Sequence, residues 1–281
     1  MLVHRRTSDL RAALATVRGK GDAVSFVPTM GYLHEGHAAL IRRAAQLAPR
    51  VVVSVFVNPL QFGPREDFER YPRDPDRDLR VAAGAGATDV WFPAASDLTP
   101  PGLTVKVEPG PLGRVLCGKS RPGHFRGVCT IVAKLFHVVQ PDYAVFGWKD
   151  AQQLVIIRRM VADLDFPVHI EGVETVREAD GLAMSSRNSY LSAEERARAV
   201  WLSRSLFEVR DLVDCGRERR SRELEKHAAA MITQRGGARL DYVRVVSLDS
   251  LRPLRVVEPG NTLVAAAAWF GQTRLIDNVR F

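Results

Sequence analysis

Residues 23–40 read AVSFVPTMGYLHEGHAAL, and this stretch joins a predicted strand to a predicted helix. The first seven residues form an apolar run that ends at a turn containing Gly31, a pattern typical of a buried strand. The residues beyond the turn carry apolar side chains at helical spacing, namely Leu40, Ile41, Ala44 and Leu47. A strand that passes through a glycine turn into a helix favours a parallel strand–helix unit.

The same alternation continues up to about residue 175. The run VVVSVFV at 51–57 predicts a second strand, and residues 58–75, with four prolines and no periodicity, predict a long loop at its carboxyl end. Farther on, DYAVFG at 142–147 predicts a buried strand that leads into another helix. The apolar face of that helix comprises Leu154, Ile157, Val161 and Leu164. We therefore expect an α/β fold with a doubly wound, Rossmann-like parallel sheet.

The pattern changes after residue 175. Ser192 and Glu195 have the spacing of a capping box at the start of a long predicted helix. Its apolar stripe comprises Leu202, Leu206, Val209 and Val213. Three strand-like runs at the C-terminus follow one another without helical segments, which predicts an antiparallel sheet. We expect two domains, residues 1–175 and 176–281, the second being a smaller α+β domain.

Composition indicates an ordinary globular protein, since 46% of the 281 residues are hydrophobic and 26% are charged. No apolar run approaches the roughly 18 residues that a membrane helix needs, and the N-terminus lacks the apolar core of a secretory signal. We therefore expect a cytoplasmic protein with no membrane partner. The net charge of +8 comes from arginines spread along the chain with few aromatic residues among them, which does not favour a nucleic-acid partner.

His34 and His37 stand three positions apart across Gly36, at the predicted start of a helix. A helix N-terminus offers unpaired N–H groups and partial positive charge, so it favours phosphate. We expect these rings to donate hydrogen bonds to a triphosphate and to stabilise charge as pyrophosphate leaves. Two alternatives remain. The spacing is one residue short of the H-E-x-x-H zinc pattern, and the pair could also be ordinary capping histidines.

Two further segments carry polar side chains that suit a nucleotide. In GWKDAQQL, Lys149 suits a phosphate, Asp150 suits ribose hydroxyls and Gln153 suits a polar acid. In ADGLAMSSRNSYLS, the polar turn of Ser185, Ser186 and Arg187 can wrap an anion. Taken alone, the first segment fits an exposed helix start better than a ligand site, and the second fits a helix-entry loop as well as it fits an anion site.

Together these motifs carry a family resemblance. The ordered set PTMGYLHEGH, FVNPLQFGPREDFERYPR, RPGHFRGV, FGWKDAQQL and ADGLAMSSRNSYLS resembles the pantothenate synthetases, or pantoate–β-alanine ligases, of the nucleotidylyltransferase superfamily. The resemblance covers nearly the whole chain and is densest from 25 to 190. It implies a ligase that uses ATP, Mg²⁺, (R)-pantoate and β-alanine, forms a pantoyl-adenylate, and releases AMP and pyrophosphate. It also implies a homodimer, a nucleotide- and pantoate-binding first domain and a lid-like second domain.

The resemblance also implies roles for individual residues. The catalytic residues would be His37, His34, Lys149 and Arg187. The remaining contacts to ATP would come from Met30, Asn58, Gly147, Asp150, Val176, Met184, Ser185 and Ser186. Gln61 and Gln153 would bracket pantoate and β-alanine, and Asp78 falls at a position associated with magnesium. We expect the two imidazoles, the ammonium and the guanidinium to share one cleft at the carboxyl edge of the parallel sheet.

This chain departs from the family pattern at four positions. Arg77 replaces an acid that members often have beside Asp78, Trp148 replaces a glutamate, Ala151 an aromatic residue, and Cys117 a glutamate found in many members. Two rival functions stay open. One is another adenylyl transfer reaction of the same superfamily, and the other is RNA binding through the arginine-rich run RERRSR at 217–222.

Overall fold

The computed structural model describes residues 1–64 and 66–281. The strands are β1 (Leu2–His4), β2 (Val24–Thr29), β3 (Arg50–Val55), β4 (Asp89–Trp91), β5 (Tyr143–Gly147), β6 (His169–Val173), β7 (Arg239–Ser247), β8 (Thr262–Phe270) and β9 (Thr273–Arg280). The α-helices are α1 (Thr7–Arg18), α2 (Glu35–Leu47), α3 (Pro75–Ala85), α4 (Ala95–Leu98), α5 (Cys117–Ser120), α6 (His124–Val139), α7 (Ala151–Asp163), α8 (Ala193–Asp214) and α9 (Ser221–Ala230).

The chain divides into two compact units. Unit 1 comprises Met1–Gly113, Arg121–Trp148 and Ile156–Glu174. Unit 2 comprises Arg114–Ser120, Lys149–Val155 and Thr175–Phe281. The binding role given to the first predicted domain and the lid role given to the second stay predictions.

Unit 1 is built on a parallel sheet. Among the residues that the structure describes, six strands form this sheet in the order β1-β4-β3-β2-β5-β6, with every neighbouring pair parallel. The order reverses between β2 and β5, because the chain adds β3 and β4 on one side of β2 and later adds β5 and β6 on the other. This confirms the doubly wound fold. In such sheets a ligand crevice opens at the carboxyl ends of the strands where the order reverses.

One part of the core of unit 1 forms between the sheet and α2. Val27 of β2 and Val53 of β3 are fully buried, as is Ile41 of the predicted apolar face of α2. Burying a side chain of this size stabilises the fold by about 1.5–3 kcal/mol. The register pairs Thr29 with Val55, so the ends of β2 and β3 lie side by side.

Unit 2 contains the predicted antiparallel sheet and the predicted long helix. β7, β8 and β9 pair in that order, each antiparallel to its neighbour. The α8 capping box is present, since Ser192 accepts from the Glu195 N–H and Glu195 accepts from the Ser192 N–H. The predicted stripe of α8 is buried, namely Leu202, Leu206, Val209 and Val213. These observations confirm the α+β character of the C-terminal part.

Two short strands, β1 and β4, could not be predicted from the sequence. β1 and β4 contain only three residues each, too few for a periodic pattern to emerge. The predicted loop at 58–75 contains a 3₁₀ turn at Pro59–Gln61, and its last residue already begins α3. In the described part of the chain, none of the helices has the length and apolar character required to cross a membrane.

Candidate active site

The turn between β2 and α2 is held by a side chain from the first turn of α3. Gly31 and Tyr32 have positive φ angles of 84° and 52°, in the left-handed region that glycine tolerates best. The Asp78 carboxylate accepts hydrogen bonds from the main-chain N–H groups of Tyr32, at 3.2 Å, and Leu33, at 2.6 Å. A Cβ atom on Gly31 would lie 2.9 Å from Asp78 Oδ2, so the close approach itself requires glycine.

Arg77 supports the same turn. Its Nε donates to the Leu33 carbonyl oxygen at 3.1 Å, and its guanidinium lies 4.6 Å from the centroid of the Tyr32 ring. The departure from the family pattern at Arg77 therefore adds a contact to the turn. Burial raises the pKa of Asp78 above its ordinary value, because the hydrogen bonds from Leu33 and Tyr32 offset only part of the desolvation of the carboxylate.

His34 and His37 cap the N-terminus of α2 with their Nδ1 atoms. His34 Nδ1 accepts from the Gly36 N–H at 3.1 Å, His37 Nδ1 accepts from the His34 N–H at 3.3 Å, and the two ring centroids are 4.1 Å apart. A backbone N–H can only donate, so each Nδ1 is unprotonated and each neutral ring carries its hydrogen on Nε2. Each imidazole therefore has an Nε2–H group that can donate to an anion near the helix start.

Three further predicted residues of unit 1 form one bonded group. Gln61 Nε2 lies 2.9 Å from Met30 Sδ, and Asn58 Nδ2 donates to Gln61 Oε1 at 2.9 Å. Asn58 is buried and caps the 3₁₀ turn, since its Oδ1 accepts from the Leu60 N–H at 3.0 Å. The group joins the residue after β2 to the loop after β3, as expected for strand ends at one edge of a parallel sheet.

Gly147 lies at the same edge. It is the last residue of β5, the strand that neighbours β2 where the strand order reverses. The carboxyl ends of parallel strands meet at one edge, so the structure puts Gly147 on the edge that carries Met30. Within unit 1, the predicted ATP-contacting residues thus follow neighbouring strands.

The segment GWKDAQQL contributes three predicted residues to unit 2. Lys149 Nζ lies 3.5 Å from Asp150 Oδ2, and the Lys149 carbonyl oxygen accepts from Asn278 Nδ2 at 3.1 Å. Of the two adjacent glutamines, Gln152 is buried with its amide bonded to main-chain groups at both ends. Gln153 is partly exposed. Both ends of the Gln152 amide are therefore engaged by main-chain groups, and Gln153 is the more exposed of the two glutamines.

The remaining predicted residues lie on one loop of unit 2. The Met184 N–H donates to the Val176 carbonyl oxygen at 3.0 Å, which closes a short antiparallel bridge. Ser185 then caps a 3₁₀ turn, Ser186–Tyr190, because its Oγ accepts from the Arg187 N–H at 3.2 Å. Met184, Ser185 and Arg187 are partly exposed, and Ser186 is buried.

The departure at Cys117 lies in a buried polar cluster of unit 2. Cys117 Sγ is 3.1 Å from Tyr242 Oη and 3.5 Å from an Arg274 guanidinium nitrogen. The Asp241 carboxylate pairs with Arg274 at 2.7 Å. Because Asp241 supplies the anion that Arg274 requires, the thiol occupies the position without leaving the guanidinium unpaired.

Trp148 and Ala151 are both buried. The guanidinium of Arg158 lies 5.0 Å from the centroid of the Trp148 ring, so the indole forms a cation–π contact within unit 1. Neither residue offers a charged group to a ligand.

Asp78 does not fit a magnesium ligand. Its side chain is only 1% exposed, and both carboxylate oxygens accept main-chain hydrogen bonds. Magnesium requires near-octahedral geometry and usually retains several waters, which this burial does not allow. Among residues 1–64 and 66–281, no three His, Cys, Asp or Glu side chains are grouped to hold a metal ion. The assignment of Asp78 to magnesium stays a prediction without geometric support.

Comparison with known proteins identifies the family. A family model described as Pantoate-beta-alanine ligase matches residues 2–280. The pantothenate synthetase of Pelotomaculum thermopropionicum is 50% identical over 278 residues, which cover 99% of this chain and 98% of that protein. The chain belongs to the pantoate-β-alanine ligase family. A second family member, the pantothenate synthetase of Moorella thermoacetica, is 51% identical over 270 residues, covering 96% and 95%.

Solved structures of the pantoate-β-alanine ligase family share this fold. The pantothenate synthetase from Thermus thermophilus superposes with a TM-score of 0.93 at 46% identity, covering 100% of this chain and 99% of that one. The ligase from Francisella tularensis, solved with β,γ ATP and β-alanine, has a TM-score of 0.80 at 30% identity, covering 100% and 97%. These matches confirm the resemblance read from the ordered motifs.

Two residues that hold the main chain of Gln61 could not be identified from the sequence. They are Arg121 and His124, which belong to the motif RPGHFRGV. Both contact the Gln61 carbonyl oxygen, from Arg121 Nη2 at 3.3 Å and from His124 Nδ1 at 2.8 Å. The available signal was a Pro-Gly turn with two polar side chains ahead of a helix, which indicates a turn without indicating its partner.

The role of Asp78 in the turn predicts a stability effect that needs no ligand. Asp78→Asn replaces one acceptor oxygen by an NH₂ donor facing a main-chain N–H, so we expect a loss of about 1–3 kcal/mol in the free energy of unfolding. The control Asp76→Asn changes an exposed residue of the same helical turn, and we expect a change below about 0.5 kcal/mol. Urea unfolding of the ligand-free, metal-free protein measures both. Equal stability of Asp78→Asn and wild type would contradict the turn role.

The loop that carries Gln61 should also respond to pH through Glu66. Burial acts to raise the pKa of Glu66, but the hydrogen bond and charge of Arg121 outweigh it and hold the pKa below the ordinary 4.5. A carboxyl group with a lowered folded-state pKa stabilises the fold above its unfolded pKa and loses this effect as pH falls. We expect wild type to exceed Glu66→Gln in stability by about 1 kcal/mol at pH 7.

That difference should shrink as pH falls below about 4.5. Urea unfolding of both proteins from pH 7 to pH 4 tests this, with exposed Glu69→Gln as the control in the same loop. A difference that stays constant or grows at acidic pH would contradict the ion pair.

Proposed function

We propose that this chain condenses (R)-pantoate with β-alanine, using ATP and forming a pantoyl-adenylate intermediate. Membership of the pantoate-β-alanine ligase family supports the reaction class. The observation that carries the proposal is the start of α2, where two imidazoles are fixed in the tautomer that presents Nε2–H donors. The ATP and β-alanine in the printed description of the Francisella tularensis structure agree with these substrates.

In the first step a carboxylate oxygen of pantoate attacks the α-phosphorus of ATP in line. A phosphorus–oxygen bond forms to the carboxylate, the bond to the bridging oxygen breaks, and pyrophosphate leaves. His34 and His37 donate hydrogen bonds to phosphate oxygens, and the partial positive charge of the α2 N-terminus stabilises the same anion. Met30 and Asn58 line this part of the site, and Gln61 binds pantoate.

The family resemblance also assigns roles to residues of unit 2, and the proposal retains those roles. Lys149 and Arg187 supply positive charge to the phosphates, with hydroxyl groups from Ser185 and Ser186. Gln153 is the second predicted contact for pantoate. The nucleoside meets the remaining predicted residues, namely Gly147, Asp150, Val176 and Met184.

In the second step the neutral amine of β-alanine attacks the carbonyl carbon of the mixed anhydride. A carbon–nitrogen bond forms, the acyl–oxygen bond breaks, AMP leaves and the amine loses a proton. No protein nucleophile is needed because the adenylate is already activated, so most of the acceleration comes from positioning. The magnesium of the family would be held by phosphate oxygens and water. The homodimer and cytoplasmic location implied by the resemblance stay predictions.

The function is tested by incubating the protein with ATP, Mg²⁺, pantoate and β-alanine, and then omitting each in turn. Mass spectrometry should detect AMP and pantothenate only in the complete mixture. Pantoate-dependent exchange of labelled pyrophosphate into ATP, without β-alanine, should report the adenylate step. Exchange that needs a different acid would identify another adenylyl transfer reaction and reject this proposal.

The His37 side chain gives a residue-level prediction. His37→Ala removes an Nε2–H donor, so we expect adenylate formation in a single turnover to slow by about a hundredfold or more, as for a lost oxyanion donor. The matched control is His169→Ala, because the His169 side chain is 68% exposed on β6. A single-turnover rate close to wild type in His37→Ala would remove His37 from the mechanism.

A further inference from the structure

Two side chains of the turn at residues 121–124 donate hydrogen bonds to the main chain of Gln61. The Gln61 carbonyl oxygen receives Arg121 Nη2 at 3.3 Å and His124 Nδ1 at 2.8 Å. Arg121 is itself held by Glu66, whose Oε1 accepts from Arg121 Nε at 2.8 Å. The His124 N–H donates to the Arg121 carbonyl oxygen at 3.1 Å, which closes the turn that brings both side chains to the same oxygen.

The hydrogen-bond partners define the tautomer of His124. A carbonyl oxygen only accepts, so His124 Nδ1 carries the hydrogen that it shares with Gln61. A guanidinium nitrogen only donates, so His124 Nε2, 3.1 Å from Arg121 Nη1, is the acceptor. The ring is therefore the neutral Nδ1–H tautomer, opposite to that of His34 and His37. His124 therefore accepts a hydrogen bond from the Arg121 guanidinium and donates one to the Gln61 carbonyl oxygen.

The backbone of α6 supports the same segment. A Cβ atom on Gly127 would lie 2.1 Å from the Leu60 carbonyl oxygen and 2.7 Å from the Gln61 nitrogen, so main chain packs directly on main chain. The Gly127 carbonyl oxygen also accepts from Asn58 Nδ2 at 3.2 Å. With the main chain of Gln61 held on this side, its amide lies between Met30 and Asn58.

We propose that Arg121 and His124 are positioning residues for pantoate, acting through the main chain of Gln61. This inference rests on the proposed function, since that function makes Gln61 a pantoate contact. Fixing the carbonyl oxygen removes rotation about the Gln61 main chain and so holds the side-chain amide ready for the acid. The binding of pantoate depends on this arrangement, whereas the binding of ATP does not involve the Gln61 carbonyl oxygen.

The test compares two substitutions of His124. His124→Phe retains an aromatic ring and loses both nitrogens. His124→Asn retains a donor, because its Nδ2 occupies nearly the position of the histidine Nδ1. We expect His124→Phe to raise KM for pantoate about tenfold, the effect of losing one hydrogen bond, with KM for ATP changed less than about twofold. His124→Asn should restore KM for pantoate to within about threefold of wild type.

Hydrogen exchange of the Leu60 and Gln61 amides provides a readout that does not depend on activity. Protection at these amides should fall in His124→Phe and recover in His124→Asn, while thermal unfolding shows that both variants are folded. An unchanged KM for pantoate in His124→Phe, or equal increases in KM for both substrates, would overturn the proposal while leaving the function intact. A wild-type protein that does not use pantoate would overturn both, and the exchange pattern would then report only the structural contact.

Discussion

The hydrogen bonds from Tyr32 and Leu33 to the buried Asp78 carboxylate are the interaction on which the candidate site depends. They hold the chain in the left-handed conformation of Gly31 and Tyr32, and His34, the residue that caps α2, follows Tyr32 by two positions. A helix start that carries phosphate-binding groups must be fixed before the ligand arrives, because the N–H dipoles act only along their own directions. A carboxylate provides this rigidity because each of its two oxygens accepts a hydrogen bond from the main chain. A hydroxyl group would supply only one acceptor atom.

A second set of contacts holds the loop after β3. The backbone of α6 at Gly127 and the side chains of Arg121 and His124 hold the segment that ends at Gln61. The two supports converge in the contact between Gln61 and Met30, since Met30 immediately precedes the turn held by Asp78. Unit 1 therefore carries the turn after β2 and the loop after β3 at one edge of the sheet. Asp78 of α3 holds the first, and α6 with the turn at residues 121–124 holds the second.

The sequence predicted the parts of the molecule whose pattern is local. Continuous apolar runs located β2, β3 and β5, and apolar residues at helical spacing located α2. The spacing of Ser192 and Glu195 located the start of α8, because strand, helix and cap signals span only a few residues. The role of Asp78 could not be predicted in this way. Its partners lie 45 and 46 residues earlier in the chain, and the local pattern of acids before a helix equally fits Asp74, which is the actual cap of α3. The roles of Arg121 and His124 could not be predicted for the same reason, since their common partner is a main-chain oxygen about 60 residues away.

In the proposed function, the start of α2 presents two Nε2–H imidazoles to a triphosphate. Nitrogen-15 correlation spectroscopy of the histidine rings, without ligand and with a non-hydrolysable ATP analogue, measures this most directly. We expect unprotonated Nδ1 atoms at His34 and His37 in the ligand-free protein, and Nε2–H resonances that shift when the analogue binds. Nδ1–H tautomers at these positions, or Nε2–H resonances that do not respond to a saturating analogue, would contradict the claim.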